Sequence, residues 1–418
     1  MSLTFSRVQE LTTNLFSMTN SDIMTIVFFT NFINHHQANV ADELYRLTEG
    51  NYTFVELCPI YDWLLKSGYP DLSSRPYVLQ AWKSEDNHKK AMELLYSSDV
   101  AMFSCPESLN YEVLRAKTGK LTFDVGERWL KRGWLNVASP RLLRFFWHYY
   151  TTFAHENVYK LCSGAFVCND HYKLHSFNDR CYKWGYFTQV EDFELETLKK
   201  LDVSSVESVA HLMWCARFLH WKHPELPVIL AKRLKDKGIA FHLDMYGSGA
   251  ELNATQHLVS ELSVEDVVSF CGNLPNGEIL KQMREHEIFL FTSDKNEGWG
   301  AVLNESMSNG CAVVASNLIG SVPYLIEDGE NGMIFQSEDI DELEYKVLEL
   351  IHDKKRRVQM ARNAIFTMRN IWSPANAAKQ FMELVEALLT NNDKLIPQTG
   401  PCSKAYPVYT SKKVSCLK

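Results

Sequence analysis

A chain of 418 residues exceeds the size at which one hydrophobic core keeps growing, so two domains are expected. Apolar residues make up 46% of it, enough to pack both, and the net charge of −8 argues against a nucleic-acid-binding protein, which needs a net basic surface. Any anion site must therefore be local.

The first strand-like run is MTIVFF at 24–29, followed by the loop TNFINHHQ and by ANVADELYRL, whose apolar positions recur at helical spacing. SSDVAMFSC, GKLTFDV and GAFVCND are further compact strand-like runs between helical or turn-rich stretches, so the first half reads as an alternating α/β unit on a parallel sheet. Residues 188–207 are acidic and weakly apolar, as suits an interdomain linker. A second α/β series follows: the strand HLMWCARFL, the helix PVILAKRLKDKG closed by Gly238, the strands AFHLDMYGSG and VVSFCG, the helix GEILKQMREH, the strand EIFLFTS, the helix AVLNESMSNG and the strand CAVVAS. From 337 the pattern is helical, with a break at Ser373-Pro374 before a last helix, ANAAKQFMELVEALL. Residues 392–418 read as a mobile tail.

The ten cysteines form no CxxC pair, and Cys215, Cys271 and Cys311 lie in apolar runs, as small buried hydrophobes of a reducing compartment do. The first twenty residues lack a basic segment followed by an apolar core, and no membrane-length apolar run occurs. A cytoplasmic protein is expected.

The most informative stretch is FTSDKNEGWGAVLNESMSNGCAVVAS, residues 291–316, where a strand ends in a glycine-containing turn and a helix opens near Gly300. Ligands of open α/β sheets bind at the carboxyl ends of strands. Gly298 and Gly300 allow close approach of the backbone, and the free N–H groups that follow, with Trp299, Ala301 and Val302, suit a diphosphate. Glu297 in the turn and Glu305 in the helix flank the same crevice as acceptors for sugar and ribose hydroxyls.

With Glu297-Gly298-Trp299-Gly300 and Glu305, the sequence resembles the retaining GT-B glycosyltransferases (glycosyltransferase family 4, glycosyl transferases group 1), which include sucrose and glycogen synthases and bacterial polysaccharide and lipopolysaccharide assembly enzymes. Arg217 and Lys222, in CARFLHWKHPELPVILAKRL, look like the strand-end arginine and the lysine five residues later of that family. Two fixed cations beside a diphosphate neutralise the charge that grows as the glycosidic bond breaks. By the resemblance Glu305 holds the donor ribose and Glu297 the sugar hydroxyls. The turn with Gly247 and Gly249, and that with Gly272, Asn273 and Leu274, fall where the family places nucleotide-contacting loops. The resemblance covers 205–391 well and 24–190 more loosely. It departs from the family pattern at Ile319-Gly320-Ser321-Val322-Pro323-Tyr324, where tyrosine stands in place of a glutamate and Gly320 keeps its backbone N–H.

The resemblance implies a GT-B architecture: an acceptor-binding Rossmann-like domain (1–195), a donor-binding Rossmann-like domain (196–372), a helix crossing back to brace the first (373–391), and the tail (392–418). His36, after the first strand, is a candidate to position acceptor or diphosphate. Glu127, in VGERW, stands where related enzymes place a catalytic histidine. The expected activity is transfer of a sugar, with retention, from a nucleotide diphosphate-sugar to a saccharide or lipid-linked saccharide, with no further cofactor. Asp339-Ile340-Asp341 has the form of a metal-binding DxD string but opens a helix, where acids cap, and no metal is expected. A basic stretch, Arg115, Lys117, Lys120, Arg128, Lys131, Arg132, Arg141 and Arg144, followed by aromatics, fits contact with an anionic membrane surface. A sugar-nucleotide epimerase, a phosphorylase and a non-catalytic partner of a polysaccharide-assembly complex remain as alternatives.

Overall fold

The computed structural model describes residues 24–66, 69–131, 133, 139–191, 193–195, 198–202 and 209–408. Two sheets organise it, both parallel throughout. The first has seven strands in the order β3-β2-β1-β4-β5-β6-β7: β1 Ile26–Thr30, β2 Tyr52–Glu56, β3 Val78–Gln80, β4 Val100–Phe103, β5 Thr122–Gly126, β6 Val158–Ser163 and β7 Cys181–Trp184. The second has six in the order β10-β9-β8-β11-β12-β13: β8 Ala210–Cys215, β9 Phe241–Tyr246, β10 Val268–Gly272, β11 Ile288–Phe291, β12 Ala312–Ser316 and β13 Met333–Phe335. In each sheet the strand order reverses at one place, between β1 and β4 and between β8 and β11. Those switch points open crevices at the carboxyl ends of the strands, and the candidate residues lie around them.

The central strands are apolar because helices cover both faces: β1, β4, β11 and β12 are buried along their whole length. Caps fix where the helices begin. Asn34 accepts from His36 N–H, so His35 and His36 are the first turn of the helix His35–Leu47 and not part of the expected loop. Asp339 accepts from the amides of Asp341 and Glu342, which makes the DxD string a helix cap.

Two other expectations, on GAFVCND and on the tail, need correction, and the linker between the sheets has an anchored part. GAFVCND is not a strand but the start of the helix Ala165–Lys173; the strand is the preceding β6, whose sequence VYKLCS carries a buried lysine that breaks its apolar pattern. Residues 198–202 of the linker are anchored, with Leu198 and Leu201 packed on Val358, Ala361 and Ile365 of the helix Lys354–Phe366, and Lys200 Nζ donating to the Met283 and His286 carbonyls. The segment up to 408, expected to be mobile, docks along β7: Lys183 N–H donates to Ser403 O at 2.8 Å, Cys402 N–H to Lys183 O at 2.7 Å and Ala405 N–H to Cys181 O at 3.0 Å. Residues 409–418 of that tail lie outside the described residues, as do 1–23, on which the reading of the first twenty residues falls.

The helix Pro374–Thr390 lies against the first sheet, with Phe381 5.2 Å from the Phe123 ring and 5.9 Å from Trp184. Its apolar face, Ala377, Ala378, Phe381, Leu384 and Val385, is fully buried, so this helix crosses back from the second domain onto the first.

Candidate active site

After β8 the chain turns through Arg217 into the short helix His220–Lys222. Thr292, at the end of β11, holds that turn: its hydroxyl donates to Lys222 O at 2.7 Å and accepts from Trp214 Nε1 at 2.9 Å. Lys222 Nζ thereby meets Glu297 in an ion pair that is largely buried on both sides. Arg217 is exposed at the same sheet end, and no hydrogen bond or ion pair ties it to a described residue. One cation is paired and a second is left for an anion.

Glu305 sits on the helix Val302–Ser308, half-buried, accepting from Asn276 Nδ2 at 2.9 Å. Burial pushes its carboxyl up to about 7, with the Asn276 hydrogen bond acting against the rise. An acid so placed gains by accepting a ligand hydroxyl.

Gly300, at φ +84°, lies against the Phe291 ring, where a Cβ would approach to 2.4 Å. Only glycine fits such a turn. Ala301 and Val302 are half-buried against the same core. Gly247 and Gly249 serve close packing: a Cβ would fall 2.0 Å from Ala216 O and 2.3 Å from Phe218 O respectively, so this loop presses directly on the segment that carries Arg217. Asn273 donates to Ser248 Oγ at 2.8 Å, and Gly272 and Leu274 are exposed beside it on the rim.

The two domains meet at the other glycines. A Cβ on Gly298 would lie 2.0 Å from a Glu127 carboxyl oxygen and 2.6 Å from Lys131 Nζ. Gly320 O accepts from Ala165 N–H at 2.8 Å, and the Gly320 N–H points at Glu297 O at 3.4 Å. Trp299 is 1% exposed, and its ring lies over Gly185 and near Tyr186, Tyr324 and Trp372. Trp299 and Gly320 were expected beside the donor through their backbone; the Trp299 ring and the Gly320 carbonyl make interdomain contacts. Tyr324 stacks on Trp372 at 5.9 Å, so the departure from the family pattern falls in this aromatic contact.

From the first domain Glu127 reaches the same place. It accepts from Lys131 Nζ at 2.6 Å and from the Tyr186 hydroxyl. Tyr186 in turn stacks on His36, with ring planes 8° apart. Burial, and secondarily His35, hold the His36 imidazole down to about 3, so it is neutral at any physiological pH. Glu127, Gly298, Lys222 and Glu297 thus lie along one cleft. Tyr186 was not among the expected site residues, and only the fold brings it to Glu127.

The basic stretch is largely committed elsewhere. Arg115 is fully buried and donates to the carbonyls of Leu95, Ser98 and Asp99. Lys120 donates to backbone carbonyls of Tyr96 and Ser97, and Arg128 pairs with buried Asp170. Arg132 and the Arg141 side chain lie outside the described residues. No helix among the described residues is long and apolar enough to cross a membrane. Among the same residues no group of three or more His, Cys, Asp or Glu could hold a metal ion.

Residues 206–366 match the family model described as Glycosyl transferases group 1. An uncharacterized glycosyltransferase of Haemophilus influenzae is 28% identical over 168 residues, 39% of this chain and 44% of its own length. The putative colanic acid biosynthesis glycosyltransferase WcaL of Salmonella typhimurium is 27% identical over 139 residues, 32% of this chain and 34% of its own. The matches thus span under half the length of these curated relatives. The structure of HepE from Anabaena, in complex with UDP and glucose, superposes with a TM-score of 0.62 at 14% identity, covering 87% of this chain and all of that one. The fold is therefore α/β of the GT-B type, two Rossmann-like domains facing one cleft, and its second domain carries the group 1 glycosyltransferase pattern.

Proposed function

We propose that the chain is a retaining glycosyltransferase that moves a sugar from a nucleotide diphosphate-sugar to a saccharide or lipid-linked saccharide in surface polysaccharide assembly. The observation that carries this reading is the Lys222–Glu297 ion pair beside the unpaired Arg217, at the carboxyl ends of the two strands that flank the second switch point. HepE, whose structure holds UDP and glucose, and the WcaL relatives support the donor class and the setting. Donor and acceptor therefore lie in the cleft between the domains.

Arg217 and Lys222 face the diphosphate and neutralise the charge that develops on the leaving oxygen. Glu305 accepts from the ribose hydroxyls, and Glu297 from hydroxyls of the transferred sugar. The bond between the anomeric carbon and the β-phosphate oxygen breaks while that carbon bonds to the acceptor hydroxyl oxygen on the same face, and the hydroxyl proton passes to the departing phosphate. No hydrolase-like acid–base pair is needed. Glu127, held by Lys131 and Tyr186, borders the transferred sugar, with the neutral His36 ring fixing Tyr186.

Membrane contact, if the acceptor is lipid-linked, falls to the helix Pro140–His148 and the turn after it, where Leu143, Trp147 and Tyr150 are exposed beside Arg144. The test of the reaction is incubation with UDP-, GDP- and ADP-sugars and saccharide acceptors, with the new anomeric linkage read by NMR. Retained configuration is expected; an inverted product, or nucleotide-sugar consumed without acceptor, overturns the reading.

A further inference from the structure

We propose that a cavity of about 450 Å³ in the first domain, bordered by Trp129, Glu127 and the buried groups Glu112, Asp124 and Lys160, binds a neutral sugar ring of the acceptor. This rests on the transfer reading above. The volume lies within the range of roughly 300–1,000 Å³ typical of small-molecule sites.

The register of β5 and β6 sets Asp124 beside Lys160, on the sheet face opposite Phe123, which meets Phe381 of the crossing helix. Lys160 Nζ donates to Asp124 Oδ1 at 2.9 Å, and a Cβ on Gly126, the next residue of that face, would fall 3.2 Å from the ammonium. Glu112, from the helix Leu109–Ala116, joins them. It is 2% exposed, and its Oε1 has no hydrogen-bond partner among the described residues, while Asp124 faces the buried Tyr149 hydroxyl. A buried polar atom left like Glu112 Oε1 is costly unless something satisfies it, and Glu112 borders a cavity large enough to admit a ligand.

The charges select the class of ligand. Burial, then the Asp124 charge, push the Glu112 carboxyl well above the usual carboxylate range, with Lys160 acting against them, which favours the neutral acid at Glu112. Lys160 and Asp124 cancel each other. What remains is a floor that offers O–H and N–H donors and carboxylate acceptors without net charge, which favours hydroxyls over an anion. Trp129, packed on Phe145 at 4.6 Å, supplies an aromatic wall for the apolar face of a sugar. Glu127 borders both this cavity and the one that contains His36 and Tyr186, so a ring bound here lies beside the cleft.

The experiment is saturation-transfer NMR on the full chain with glucose, galactose, N-acetylglucosamine and glucuronic acid, run beside a melting assay with UDP, GDP and ADP. Neutral sugars are expected to bind the native chain and Glu112→Gln alike, since the amide keeps a neutral donor and acceptor. Glu112→Leu should bind them at least about tenfold more weakly, the effect of losing one buried hydrogen-bonding partner. Ser104→Phe, which narrows this cavity and its neighbour at their shared wall without removing a charged group, should abolish the signal and serves as the readout if Glu112→Leu does not fold. A native chain whose melting temperature rises with any of these nucleotides but which binds no neutral sugar overturns the proposal. So does equal binding by Ser104→Phe, or a preference for the acid. Neutral sugars bound through Glu112 without a shift from any of the three nucleotides would uphold the cavity and overturn only the transfer reading.

Discussion

The Trp299 ring of the second domain lies directly over Gly185 of the first, so closely that a Cβ at Gly185 would fall 2.1 Å from it. Trp299 Nε1 donates to Asn304 Oδ1 at 2.8 Å and Asn304 Nδ2 to Tyr186 O at 3.0 Å, which locks the indole and the facing strand end together. Neither side has room to move. Gly185→Ala should therefore open the cleft, with a stability loss of about 1–3 kcal/mol, the usual size of an overpacking strain. Transfer should drop sharply while nucleotide binding to the second domain persists. Thermal melting and a transfer assay check this; an Ala variant with native activity would show that the contact is dispensable.

Glu305 predicts a pH dependence. Its folded-state carboxyl is raised from 4.5 to about 7, so between those values the folded chain holds a proton that the unfolded chain has lost. Stability must fall as pH rises through that window, by an amount on the order of 3 kcal/mol for this group alone. Glu305→Gln should flatten the slope, and melting curves across the window decide it. An unchanged slope would mean that Glu305 is ionised in the folded chain.

On the acid side His36 works in the opposite sense. Its folded value is depressed from 6.5 to about 3, so the unfolded chain takes up a proton below 6.5 that the folded chain refuses. Stability is lost as pH falls from 6.5 towards 3. His36→Phe keeps an aromatic ring against Tyr186 and removes the titration. It should lose less stability than the native chain on acidification, and an equal loss would rule out His36 as a source of it.

The docked segment beside β7 is testable by truncation. Ending the chain after Gln398 removes three backbone hydrogen bonds to β7 and exposes the edge now covered by buried Cys402 and Ala405. A loss of roughly 2–4 kcal/mol is expected from those bonds and that burial. An unchanged melting temperature would mean that the segment contributes nothing.

The second domain was the more legible in the sequence because strands such as β11 and β12 are continuous apolar runs and the turn after β11 carries Gly298 and Gly300, which marks Glu297 and Glu305, while Arg217 and Lys222 were found through the family resemblance. The first domain was less so. β6 contains Lys160, a charge made tolerable by Asp124 on the neighbouring strand, and that pairing is a property of register that no local pattern reveals. Its apolar signal passed instead to the helix that follows. The packing of the Trp299 ring could not be read locally for a related reason: its partner, Gly185, is more than a hundred residues away in the chain. The tail looked irregular because its order comes from the β7 edge rather than from its own periodicity.

The most direct test of the central claim is the melting temperature of the native chain, Arg217→Ala and Glu305→Ala with a panel of nucleoside diphosphates. A ligand that binds only the folded state at a hundredfold excess over its Kd adds about 2.7 kcal/mol. The proposed donor site predicts a rise with one nucleotide family and its loss in both variants, each still folded. A rise that survives in Arg217→Ala, or no rise with any nucleotide in the native chain, would contradict it.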